Sequence, residues 1–336
     1  MILMGVLSVG LTALALLVLH QLRQAASWPS LDQEPPLAVQ PAASPTDSWL
    51  ALEAVMAAVP MERHDRLQDA LDDEGMPSER GMWKLAAAQV EALPSLLESS
   101  SIISPTRPLV DQANLTSLLP LLPLARAQIL RGWDRYADGD TFEAAEDMLL
   151  ADRLGQQLLD GSQSLLMSAV GHAIQSEALT ELQELLSLGR DPLAHAIAAE
   201  RLPMHAPQAG KFRAVLRLEC GDNEALLMDP FQPEDALPEG VWSERVARIF
   251  YDVDATVAQH RKMCREGDVW ASRLPAERGE PPVPFPEELS EVMTYNTAGV
   301  ELLKILSIEG SLNMVDAERE GLLQREVLRL ITAARL

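Results

Sequence analysis

ARAQILRGWDRYADGDTFEAAEDMLLADRLG, residues 125–155, carries the two periodicities that decide the fold. In its first half Ala125, Ile129, Gly132, Trp133 and Tyr136 fall at i, i+4, i+7, i+8 and i+11, which lines one face of an α-helix. Asp138-Gly139-Asp140-Thr141 interrupts that pattern, and Thr141 is the expected cap of a second helix. In the second helix Ala144, Met148, Ala151, Gly155 and Leu158 share a stripe. Its small residues permit close approach of a neighbouring helix.

The segment GDTFEAAEDMLLADRLG, residues 139–155, has a turn glycine, an aromatic three positions later and alanines further on. In these marks it resembles the second helix of a tetratricopeptide-like pair. The resemblance covers residues 125–155 only, and the chain shows no recurrence at the family's period of about 34 residues. It implies a helix-pair architecture that binds partners.

Outward from this pair the chain alternates helical patterns with proline and glycine punctuation. A short helix opens at Ser48-Trp49-Leu50 and stops before Pro60; another runs from Glu79 to Leu97 behind Pro77-Ser78. Prolines 105, 108, 120 and 123 delay the next start to about Leu121. Downstream, Ser162 is the expected cap of a helix carrying Met167, Val170, Gly171, Ile174, Ala178, Leu182 and Leu185 and ending at Gly189. Asp191-Pro192 starts another, with a favourable cap and a proline at the first helical position. Further helices are expected over 209–228 and 241–268. The proline-rich stretch SRLPAERGEPPVPFPEE then precedes a C-terminal helical hairpin over 287–307 and 314–335. No run of alternating β-branched residues marks a strand.

The chain opens on MILMGVLSVGLTALALLVL, where Ser8 and Thr12 are the only polar side chains. Nineteen helical residues reach roughly 28 Å, close to a hydrocarbon core of about 30 Å. A lone segment in lipid must satisfy its own backbone hydrogen bonds and is therefore helical. Residues 1–19 are thus expected to be an uncleaved transmembrane anchor in the lipid bilayer. One rival reading is a signal peptide cleaved near Ala25-Ala26-Ser27, though no basic side chain precedes the apolar run. A buried core helix is the other. The flanks offer the charge rule only the α-amine on one side and Arg23 with His20 on the other, which leaves orientation open and an extracytoplasmic body slightly favoured.

The resulting organisation is an all-α chain: anchor 1–19, proline-rich linker 20–47, helical domain 48–274, proline-rich loop 275–286, and a hairpin 287–336 packed on the body as a multi-helix bundle or irregular solenoid. Prolines at 29, 35, 36, 41 and 45 make residues 24–47 of the linker an extended spacer that reaches up to roughly 75 Å. Apolar residues are 47% of the chain and aromatics 4%, a globular composition that favours helix over sheet. A net charge of −23 excludes nucleic acid as a partner and is compatible with a solvating surface. Cys220 and Cys264 allow at most one intramolecular bridge, and whether they pair is left open. Asn114-Leu115-Thr116 is a glycosylation acceptor only if the chain passes through a glycosylating pathway.

Each candidate for chemistry has a structural alternative. His260 and Cys264 sit at i, i+4 and share a helix face, as soft metal ligands do, but no third ligand lies nearby in sequence. Asp138, Asp140 and Glu143 lack the glycine and glutamate positions of a calcium loop and fit a turn with acids at a helix N-terminus. His172 and His195 lie among apolar neighbours as neutral, satisfied histidines. Tyr295-Asn296 places an amide on the stripe of Leu289, Val292, Met293, Val300 and Leu303, where a buried amide must find partners and fixes how helices pair, a ligand contact being the other reading. Nucleophile elbows, phosphate loops and H-E-x-x-H are absent. The sequence assigns no catalytic residue, no cofactor and no metal. It reads as a membrane-tethered, non-enzymatic helical domain that binds another protein; a helical enzyme with scattered site residues, or a helical pocket for an apolar ligand or lipid, are the rivals.

Overall fold

Residues 125–155 form the helix pair that their periodicity predicts. In the computed structural model α3 (Leu121–Ala137) and α4 (Thr141–Asp160) are joined by a tight turn and preceded by α1 (Asp47–Ala57), a 3-10 turn (Met82–Ala86) and α2 (Ala87–Leu96). After them come α5 (Leu165–Leu188), α6 (Pro192–Arg201), α7 (Ala209–Met228) and α8 (Val253–Ser272). The structure describes residues 28–38, 44–58, 63, 66–67, 70, 80–98, 102–103, 118, 120–202, 209–228, 251–273, 296, 303, 321 and 323–334, with only the backbone of 209–212. All regular elements among them are helical, residues 323–334 included. No helix among the described residues is long and apolar enough to cross a membrane. The apolar segment 1–19 lies outside them.

The chain divides into two compact units, a larger one of residues 40–218 and 313–336 and a smaller one of residues 1–39 and 219–312. The two arms of the expected C-terminal hairpin, 287–307 and 314–335, accordingly belong to different units. In the larger unit α4 is the central helix, packed against α3, α5 and α6. Trp49, Leu52, Leu93, Leu97, Leu121 and Leu154 belong to one buried cluster, and Ile129, Trp133, Met148, Leu182, Leu185 and Leu328 to a second. Each such aliphatic side chain contributes about 1.5–3 kcal/mol of burial free energy. The stripe Ala144, Met148, Ala151, Gly155 and Leu158 is buried throughout. A Cβ built on Gly155 comes within 2.8 Å of the Gly171 carbonyl oxygen, so α4 and α5 cross backbone to backbone at this pair.

Several helix starts differ from expectation, each for a local reason. Asp140, not Thr141, caps α4: its carboxylate accepts from the Glu143 amide at 3.3 Å, while Gly139 at φ 91° makes the reversal that brings it there. Ser164, not Ser162, caps α5, because Ser164 has the extended backbone a cap needs and its hydroxyl accepts from the Met167 amide at 3.2 Å. Ser162 instead donates to the Ser164 carbonyl. The helix expected over 241–268 begins at Val253, where the Asp252 carboxylate accepts from the Ala255 amide at 2.9 Å; residues 229–250 lie outside the described residues. The expected 79–97 helix opens with the 3-10 turn, since the Gly81 amide and the Trp83 indole N–H both donate to the Asp134 carboxylate.

The smaller unit departs from expectation in two larger ways. Asn296 sits in a turn at φ 58°, so the helix expected across 287–307 is interrupted there. Asparagine tolerates this left-handed conformation because its short polar side chain bonds locally. Here Oδ1 accepts from the Asp252 amide at 2.8 Å and Nδ2 donates to Thr256 Oγ1 at 2.7 Å, locking the turn to the start of α8. The linker, expected as an extended spacer over 20–47, is fastened along part of its length. Trp28 is buried, and Arg265 pairs with the Glu34 carboxylate at 2.7 Å. Arg261 and Arg265 donate to the Glu34 and Pro35 carbonyls. A turn at residues 31–34, in which the Gln33 and Glu34 amides donate to the Ser30 and Leu31 carbonyls, precedes this contact and leaves the Glu34 and Pro35 carbonyls to two arginines one turn apart on α8.

Candidate functional site at the α7–α8 disulfide

Cys220 on α7 and Cys264 on α8 are joined by a disulfide, with Cα atoms 6.1 Å apart. His260 lies one turn before Cys264 on the same helix face. Its Nε2 donates to the Cys220 carbonyl at 3.0 Å and stands 3.5 Å from Cys264 Sγ. Both sulfurs and the imidazole nitrogen lie within 4.8 Å of one another, and all three residues are buried. Burial pushes the His260 pKa down against the opposing pull of the Cys220 carbonyl, which keeps the ring neutral. The proton therefore sits on Nε2, and the buried Nδ1 has no hydrogen-bond partner among the described residues.

A cavity of about 220 Å³ opens beside the bridge, lined by Pro36, Leu37, Glu224 and Arg261 together with the two cysteines and His260. Arg261 grips Glu224 in a two-pronged pair, 2.9 Å through Nε and 2.6 Å through Nη2. Its Nη1 holds the Glu34 carbonyl at 3.1 Å. The same arginine thus forms one wall and ties the proline segment to the rim.

The sequence places His260 and Cys264 on one face; the structure adds Cys220, which is distant in sequence and is brought in by the α7–α8 packing. No local spacing signals it. The other candidates do not converge. Asp138 is held by Arg80, the Asp140 carboxylate caps α4, and Glu143 pairs with Arg135 at 2.8 Å. His195 is buried, with Nδ1 2.9 Å from the Asp191 carbonyl oxygen. Tyr295, Asn114 and Thr116 lie outside the described residues.

His172 on α5 is half-buried, and loss of solvation lowers its pKa to about 4. The unfolded chain, with a histidine near pKa 6.5, binds the proton more readily, so this group's stabilising effect is complete above about pH 6.5 and is lost as pH falls towards 4. We expect its imidazole resonances to stay neutral at pH 6 in an NMR titration, and His172→Gln to flatten the decline in stability between pH 6.5 and 4. A normal titration midpoint near 6.5 contradicts this.

A second feature lies on the C-terminal helical stretch 323–334 of the larger unit. Arg325, Leu328 and Thr332 are buried on one side. Leu323, Val327, Leu330 and Ile331, at i, i+4, i+7 and i+8, form the opposite face and are 55%, 50%, 56% and 39% exposed. One helix therefore carries a packed face and an apolar one that is about half exposed. No family model, curated protein or solved structure matches the chain.

Proposed function

We propose that the protein is a single-pass, membrane-tethered helical domain that works by binding another protein. The observation that carries this reading is the apolar stripe Leu323, Val327, Leu330 and Ile331. Four aliphatic side chains at helical spacing offer a ridge for a partner helix and are costly to leave in water. The net charge of −23 favours a basic amphipathic helix as the occupant. Residues 1–19 supply the anchor, and the tetratricopeptide-like marks at 139–155 agree with a partner-binding body. The Cys220–Cys264 bridge supports an extracytoplasmic body, since disulfides persist in oxidising compartments. With residues 28–38 fastened to the smaller unit, that unit is held much closer to the bilayer than a free 20–47 spacer allows.

The test is co-purification from detergent-solubilised membranes at native abundance, comparing the wild type with Val327→Asp/Leu330→Asp. We expect a stoichiometric partner on the wild type and its loss from the variant. Thermal stability should change little, because both side chains are already about half exposed. A wild-type protein that emerges unaccompanied, or a partner retained by the variant, overturns the assignment.

A further inference from the structure

We propose that Cys220, His260 and Cys264 form a redox-gated site for a soft divalent cation, zinc above all, closed while the disulfide is intact and opened when a dithiol reduces it. The donor set is two sulfurs and one imidazole, which selects zinc over the hard cations magnesium and calcium. With Zn–N about 2.05 Å and Zn–S about 2.3 Å, a tetrahedral angle separates N from S by roughly 3.6 Å. His260 Nε2 and Cys264 Sγ already stand 3.5 Å apart. Breaking the bridge lets the two sulfurs part to the roughly 3.8 Å that two thiolates on one zinc require. The neighbouring cavity provides the entry path and room for water as the fourth ligand. Glu224 is occupied by Arg261 and is not needed as a ligand.

The chemistry balances. A dithiol gives two electrons and two protons to the disulfide and becomes a disulfide itself, leaving two thiols at Cys220 and Cys264. The cation then displaces both thiol protons to solvent. The Nε2 proton leaves for Nδ1, so the ring gives up its bond to the Cys220 carbonyl and acquires a buried donor without a partner among the described residues. That exchange weakens the site by about ten- to hundredfold relative to a fully supported one, which suits a cation that must come and go.

The experiment uses the full chain in detergent, with cobalt(II) as the probe because tetrahedral thiolate coordination gives it sulfur-to-metal charge-transfer and intense visible bands. We expect the oxidised chain to show neither. The phosphine-reduced chain should take up cobalt and surrender it to zinc. Cys264→Ser should abolish the bands, and His260→Ala should weaken affinity at least about tenfold. Zinc should also slow re-formation of the disulfide in the reduced wild type but not in His260→Ala. Bands absent from a reduced chain that keeps its helical circular dichroism overturn the proposal, and so does unaltered affinity in His260→Ala. If reduction melts the smaller unit, zinc must restore its helicity; failure to do so counts equally against the site.

Discussion

Replacing Arg325 by Met is expected to destabilise the larger unit by about 3–5 kcal/mol, because it leaves a buried carboxylate without its guanidinium. The side chains of Arg325 and Asp152 are 6% and 7% exposed, and Arg325 Nη2 donates to the Asp152 carboxylate. Nη1 donates to Gln156 Oε1 at 2.9 Å, which also accepts from Gln175 Nε2 at 2.9 Å. One guanidinium thereby ties the C-terminal stretch to α4, and through Gln156 to α5. Combining Arg325→Met with Asp152→Leu should recover most of the loss, since an apolar pair of similar volume replaces a buried ion pair at little net cost. Urea unfolding followed by circular dichroism measures both. The binding stripe is untouched in Arg325→Met, yet partner affinity should fall with it, because the face is presented only while this helix is docked. A single-variant loss below about 1 kcal/mol would show that the pair is solvated and does not hold the helix in place.

Reducing the Cys220–Cys264 bridge is expected to destabilise the smaller unit by up to about 4 kcal/mol, the chain-entropy value for a closed loop of 44 residues. The consequence should be confined to that unit. Backbone hydrogen exchange is the suitable reading: amides of α8 should exchange about 10²–10³-fold faster after reduction, while those of α4 keep their protection. Equal acceleration in α4 would mean that the two units unfold as one. No acceleration in α8 would mean that the bridge constrains little. Zinc added to the reduced chain should return part of the lost protection, which connects this measurement to the proposed cation site without depending on it.

The helical character of this chain is legible because apolar side chains recur at 3.6-residue spacing and strands would need another period. Thus the spacing of Ala144, Met148, Ala151, Gly155 and Leu158 is enough to assign them to one face, and that face is buried. What cannot be read falls into two kinds. Caps depend on which of several adjacent polar residues takes the extended backbone, so Ser162 and Ser164, or Asp140 and Thr141, look equivalent in one dimension. Tertiary partners have no local signal at all: Asp152 and Arg325, Cys220 and Cys264, and the α8 arginines with Glu34 and Pro35 meet only through packing. Asn296 belongs between these kinds. Its place on an apolar stripe is visible, but the same amide that suits a buried helix position also suits a left-handed turn, and its bonds to Asp252 and Thr256 decide in favour of the turn.

The proposed function requires residues 1–19 to dissolve in lipid and hold the helical body at a bilayer surface. The most direct measurement is the partition of the full-length chain, with its first residues verified as intact, between membrane pellet and supernatant after lysis, alkaline carbonate washing and ultracentrifugation. The full-length chain is expected to remain in the pellet until detergent is added, and a chain lacking residues 1–27 to appear in the supernatant. Full-length chain with an intact N-terminus in the detergent-free supernatant would contradict the membrane tether.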